Sequence, residues 1–152
     1  MEWALLPIRR YSEFSGRSRR KEFWSFHLML FILSLIASAI DGALGMSALV
    51  LGLYGPLTFL LVVVVITPQL TVSIRRLHDT DRSGWWLLLG LVPMAVMGVI
   101  AFVPLGWMVV GLATAVVAVV FIYFFVLDGT AGPNRYGADP KKAERTAPVG
   151  TA

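Results

Sequence analysis

The chain has no cysteine, only two histidines, and not one lysine or arginine in residues 22–74 or 83–134. Lack of cysteine removes disulfides, thiolate nucleophiles and zinc–thiolate centres together. Two imidazoles, His27 and His78, cannot complete a metal site without several carboxylates, and the spacing of Asp79, Asp81 and Asp128 around them matches no ligand motif. Charge is scarce as well. At 14% charged and 57% hydrophobic residues, with a mean hydropathy of +0.77, the composition excludes a water-soluble globule.

The two cation-free stretches are 53 and 52 residues long. Each is long enough to cross a hydrocarbon layer of ~30 Å and return, since one helical crossing takes about 20 residues. The thirteen cations that are present fall into three patches. These are Arg9, Arg10, Arg17, Arg19, Arg20 and Lys21; then Arg75, Arg76 and Arg82; then Arg135, Lys141, Lys142 and Arg145. Basic residues collect on the cytoplasmic side, so an even number of crossings must separate neighbouring patches. The expected fold is therefore an all-α integral membrane four-helix bundle, made of two antiparallel hairpins with both termini cytoplasmic. Net charge +4 and a pI of 9.9 point to anionic lipid and not to nucleic acid, because the cations flank apolar spans.

Residues 1–22 read as a basic cytoplasmic segment, residues 23–127 as the membrane domain and residues 128–152 as a cytoplasmic tail, predicted to be disordered after residue 140. The crossings are placed at 23–40, 56–74, 85–103 and 107–127. Phe23 and Trp24 beside Lys21 form an interfacial aromatic anchor for the first. Ala37-Ser38-Ala39 looks like a signal-peptide cleavage site, but the charged leader before the apolar run is longer than signal peptides usually carry. Pro56 suits the first turn of the second crossing. Pro68 predicts a kink within it, with Thr67, Gln69, Thr71 and Ser73 able to satisfy the backbone groups the proline frees. Pro93 lies inside the third crossing, and the short Pro104-Leu105-Gly106 link makes the third and fourth helices adjacent and antiparallel. Gly111, Ala115 and Ala118 give the fourth helix a small-residue face suited to close packing in lipid.

Polar chemistry is concentrated in three segments facing the cytoplasm. They carry Gly16-Arg17, Arg20 and Glu22-Phe23-Trp24; Arg75-Arg76-Leu77-His78-Asp79 with Arg82-Ser83-Gly84-Trp85-Trp86; and Gly129, Gly132, Asn134, Tyr136 and Gly137. Together these motifs resemble the bacterial inner-membrane family catalogued as domain of unknown function 805, over about residues 14–140. Asp81 stands where the family pattern has glycine. The resemblance implies a four-helix protein of the bacterial inner (plasma) membrane with no assigned activity.

The arginines allow two readings. Arg75 and Arg76 can fix topology and touch lipid phosphates. They can also build a dedicated site with Arg17, Arg20 and Arg135, since the planar guanidinium donates two parallel hydrogen bonds to a phosphate. His78 beside Asp79 has the residue types of a hydrolase, but a turn held by aspartate hydrogen bonds explains the same pair. Ser83 is the expected cap of the third helix. No ionisable residue lies deep in a span, which argues against ion coupling.

The expectation is a non-enzymatic structural, scaffold or regulatory membrane component without cofactor or metal. Its expected partners are anionic lipid, a second copy or another membrane protein. The contact residues are expected to be Arg17, Arg20, Arg75, Arg76, His78, Asp79, Arg82, Asn134, Arg135 and Tyr136. A transporter or channel subunit and a headgroup-modifying enzyme are the alternatives.

Overall fold

A computed structural model describes residues 2–50, 52–100, 103 and 105–142. These residues form α1 (Glu2–Arg9), α2 (Arg20–Ala43), α3 (Pro56–Asp79), a 3-10 helix (Gly84–Leu91), α4 (Val92–Ile100) and α5 (Gly106–Val126). Pairing among the described residues is limited to two isolated β-bridges, Val50 with Tyr54 and Asn134 with Gly137. Helices α2, α3 and α5 are each long and apolar enough to cross a membrane, and Gly84–Gly98 is a shorter apolar stretch. The chain is thus a helical membrane protein. The expected disorder after residue 140 falls largely on residues 143–152, which lie outside the described residues.

The third expected crossing is not one helix. It divides into the 3-10 helix and α4, and the reason lies at Pro93. A proline within a continuous α-helix would break the hydrogen-bond ladder, but as second residue of α4 its missing N–H is one that has no intrahelical acceptor anyway. Upstream, Ser83 Oγ accepts from Trp85 N at 3.4 Å, so the expected serine cap sits on the 3-10 turn. Eight residues rising about 2.0 Å each and nine rising about 1.5 Å reach about 30 Å laid end to end, close to the hydrocarbon thickness.

The chain divides into two compact units, Met1–Phe14 with Lys21–Val72, and Ser15–Arg20 with Ser73–Ala152. In the first, α2 and α3 share an apolar groove lined by Leu33, Ile36, Ala37 and Ile40 from α2 and Leu57, Leu60, Leu61 and Val64 from α3. Asp41 ties their ends. Its buried carboxylate accepts from Leu57 N (3.1 Å), Thr58 N (2.9 Å) and Thr58 Oγ1 (2.8 Å), satisfying first-turn donors of α3 that the helix itself leaves open. Gly55 gives the carboxylate room, because a Cβ there would collide with it. The basic N-terminal segment is not featureless, since α1 occupies Glu2–Arg9 and Tyr11 is hydrogen-bonded to α3.

In the second unit α4 and α5 pack together. Gly106 has no space for a Cβ against the Ile100 carbonyl, and Leu105 adopts φ 64°. The 3-10 helix lies on α5, with Gly90 near Phe121 and Trp86 edge-on to Phe124 at 5.2 Å. The small-residue face of α5 is uncovered in this chain: Gly111, Ala115 and Ala118 are all exposed.

Burial is inverted relative to a water-soluble protein. Leu, Ile, Val and Phe side chains cover the surfaces of the spans, whereas Arg17, Asp41, Arg75, Arg76 and Asp79 are buried. Lipid makes apolar exposure cheap and unsatisfied polar groups costly, so polar groups turn inward to find one another.

Candidate functional site: a closed arginine–aspartate centre

The C-terminal turn of α3 places Arg75, Arg76 and Asp79 within five residues, and all three are buried. Spacing i, i+3 puts Arg76 and Asp79 on one face, where Arg76 Nη1 donates to Asp79 Oδ2 at 2.6 Å. Arg17 arrives from the segment before α2 and donates through Nε to the other carboxylate oxygen at 2.9 Å. One carboxylate therefore holds two guanidinium groups. Their side chains are 2% (Arg17), 0% (Arg76) and 3% (Asp79) exposed.

The other hydrogen bonds of Arg17 and Arg76 go to backbone carbonyls. Arg17 Nη1 donates to Gly132 O (2.7 Å), and its Nη2 donates to Thr130 O (2.6 Å) and Asp79 O (3.4 Å). Arg76 donates to Phe125 O through Nε (3.2 Å) and Nη2 (3.1 Å), and through Nη2 to Leu127 O. Arg20 Nη1 reaches Val126 O at 3.0 Å. The last carbonyls of an α-helix have no partner of their own, and a cation there also opposes the negative end of the helix dipole. Arg76 and Arg20 together cap α5.

The segment after α5 wraps this centre. Gly129 packs against the Asp79 carboxylate so closely that a Cβ would overlap it. Thr130 donates its N–H (2.8 Å) and Oγ1 (3.3 Å) to Asp79 O. Asn134 Nδ2 bridges His78 O (2.8 Å) and Thr130 Oγ1 (3.0 Å), while its Oδ1 accepts from Tyr136 N at 2.9 Å. Asp139 closes the turn by accepting from Gly132 N at 3.0 Å and Lys141 N at 2.8 Å. Gly132 needs its glycine for φ +78°.

His78 and Asp79, neighbours in sequence, engage different partners. The imidazole stacks on Tyr136 with centroids 3.8 Å apart and planes within 3°, and its Nδ1 lies 3.2 Å from Gly16 O. Among the described residues no group of three or more His, Asp or Glu side chains is placed to hold a metal ion.

The expected contact residues thus separate by position. Arg17, Arg75, Arg76 and Asp79 are inside, and the carbonyl of Arg75 accepts from Ser18 N at 3.0 Å. Arg82 is half-buried, with its guanidinium 4.4 Å from the centroid of the Phe124 ring. His78, Asn134 and Tyr136 are half-buried in the wrapping segment. Arg20 and Arg135 reach the surface, with side chains 39% and 61% exposed. They pair there with Asp128 (2.5 Å) and Asp81 (3.2 Å). Asp81 takes φ 58°, the left-handed region where glycine is easiest. Sequence reasoning missed Thr130, whose carbonyl, N–H and hydroxyl all serve the centre. Its only signal was its position inside the Gly129-x-x-Gly132 spacing.

Asp128 stands outside the spans. The hydrogen bond from Lys141 Nζ at 2.9 Å, with the nearby charges of Lys141 and Arg20, holds its carboxyl below the ordinary carboxylate range.

The family model described as Protein of unknown function (DUF805) matches residues 11–138. Inner membrane protein YhaI of Escherichia coli (strain K12) is 41% identical over 142 residues, covering 93% of this chain and 97% of the relative. Inner membrane protein YhaH of the same strain is 38% identical over 141 residues, covering 93% and 98%. A third relative, Uncharacterized protein YiiR, is 28% identical over 138 residues, covering 88% and 90%. No solved structure matches the chain.

Proposed function

The chain belongs to the family described as Protein of unknown function (DUF805), and on that premise we propose that it is a non-enzymatic structural or regulatory component of the bacterial inner membrane. In this reading four crossings form a helical bundle with both termini in the cytoplasm. The third crossing is supplied by the 3-10 helix followed by α4, and the fourth by α5. The basic end carries contacts to anionic lipid headgroups. The observation that supports it is the division of labour among the arginines. Arg17 and Arg76 direct four hydrogen bonds each to Asp79 and to backbone carbonyls, which leaves them few hydrogens for a substrate. Arg20 and Arg135 carry surface cations in the unit that holds this centre, and Lys21 is exposed as well, so headgroup phosphates would meet these three.

Native mass spectrometry of the protein released gently from its membrane tests this. Retained phosphatidylglycerol or cardiolipin is expected, with loss of most of it in the Arg20→Ala, Lys21→Ala, Arg135→Ala variant and retention in a surface control such as Lys142→Ala. Equal retention in both variants would sink the headgroup role. Orientation is read independently in the cysteine-free chain. A Lys142→Cys variant should react with a membrane-impermeant maleimide in inverted vesicles and not in right-side-out ones, and the opposite pattern would overturn the topology.

A further inference from the structure

We infer that α1 and the residues after it, up to Phe14, form an interfacial element that lies along the anionic cytoplasmic surface of the bilayer, dipping Leu5, Ile8 and Phe14 into the headgroup–acyl boundary. The inference rests on the orientation proposed above and adds a lipid contact that the arginine–aspartate centre does not provide.

Three observations place it there. The first is height. Thr71 Oγ1 lies 3.5 Å from Tyr11 O, and Tyr11 Oη donates to Val64 O at 2.7 Å, so residue 11 is held against the side of α3 and not beyond its end. Thr71 stands fifteen residues after Pro56, about 22 Å along the helix axis, inside a hydrocarbon layer of ~30 Å that begins near Pro56. An element anchored at that level runs through the boundary zone and cannot hang free in the cytosol.

The second observation is the side chains. Leu5 and Ile8, spaced i, i+3 on one face of α1, are 43% and 44% exposed, and Phe14 is 47% exposed. Pro7 is buried, so this helix has one side against the protein and an apolar side turned outward. The third is charge. Arg9 and Arg10 follow Ile8 directly and are exposed, Arg10 sharing its charge with Glu13 at 3.6 Å, and both border the apolar face where an anionic surface would attract them.

The test uses the full-length protein with spin labels on single cysteines, which the cysteine-free sequence makes unambiguous. Labels go on Leu5→Cys, Ile8→Cys and, as a control, Glu2→Cys, in vesicles of phosphatidylethanolamine with phosphatidylglycerol and in neutral phosphatidylcholine vesicles. Labels at 5 and 8 are expected about 5–10 Å below the phosphates, accessible to oxygen and shielded from a water-soluble nickel complex. The label at 2 should meet nickel. Adding Arg9→Glu and Arg10→Glu should move the Leu5 label toward water in the anionic vesicles only. Nickel accessibility at 5 and 8 equal to that at 2 would overturn the inference. Shielding from both oxygen and nickel would also overturn it, by showing a protein surface, such as a second copy, over this face. Retained phosphatidylglycerol combined with water-exposed labels would sink this inference and leave the proposed function standing.

Discussion

The hydroxyl of Tyr11 donates a 2.7 Å hydrogen bond to the backbone carbonyl of Val64, the carbonyl that Pro68 leaves without a helical donor four residues later. A proline inside a membrane helix is tolerated when another group satisfies the freed carbonyl. Here that group comes from a distant segment. Thr71, expected to serve this purpose, donates instead to Pro68 O at 3.0 Å. Tyr11→Phe should destabilise the protein by about 1 kcal/mol, measured by thermal melting in nanodiscs. In a Pro68→Ala background, where residue 68 regains its N–H, the same substitution should cost markedly less. Equal costs in the two backgrounds would break the assigned link between Tyr11 and Pro68.

Asp79 neutralises two buried arginines, and taking away the carboxylate strands both charges. Asp79→Ala should cost on the order of 3–5 kcal/mol and show as loss of a monodisperse peak on fluorescence-detected size exclusion. Arg17→Lys should fall short of wild type, because an ammonium cannot copy the spread of donors that reach Asp79, Gly132 and Thr130. Wild-type melting of Asp79→Ala would show that the centre contributes nothing to the fold.

Two glycines of similar appearance in sequence should respond oppositely to alanine. At Gly129 the new methyl overlaps the Asp79 carboxylate, so Gly129→Ala should lower stability by about 1–3 kcal/mol. At Gly111 nothing lies within 4 Å, and Gly111→Ala should raise helix stability by roughly 0.5–1 kcal/mol. Thermal melts of the two variants side by side check both signs.

The Asp128–Lys141 contact carries a pH signature. A carboxyl held below its ordinary pKa stabilises the folded form at pH above the unfolded carboxylate value, and that contribution is lost as pH falls through the lower folded value. Tryptic cleavage at Lys141 should therefore accelerate at acid pH relative to a control site, after correction for the protease's own profile. In Asp128→Asn it should be fast throughout. A wild-type profile that the asparagine variant reproduces would dissociate Asp128 from this segment.

Much of the fold is legible in the sequence because the membrane imposes it locally. The start of α3 at Pro56 and the extent of α5 follow from apolar run length and from where proline and tryptophan stand. The sequence places Pro93 inside a continuous helix, whereas in the structure it is the second residue of α4, after a 3-10 stretch. Run length alone does not tell those arrangements apart, because both cover a similar axial distance. The helix at Glu2–Arg9 was hidden by its short length and its flanking arginines.

The candidate site was legible as a list of residue types and not as an arrangement. The sequence by itself determined that this chain enters a membrane, that its apolar runs are helical and that its cations gather between those runs. Each of these follows from the cost of placing charge and unpaired backbone in hydrocarbon. Only the tertiary structure decided that Arg17 and Arg76 turn inward to Asp79 and the α5 carbonyls while Arg20 and Arg135 remain at the surface. That choice depends on which carbonyls and carboxylates lie within about 3 Å of each guanidinium, and partners 49 to 115 residues apart are brought together only by folding.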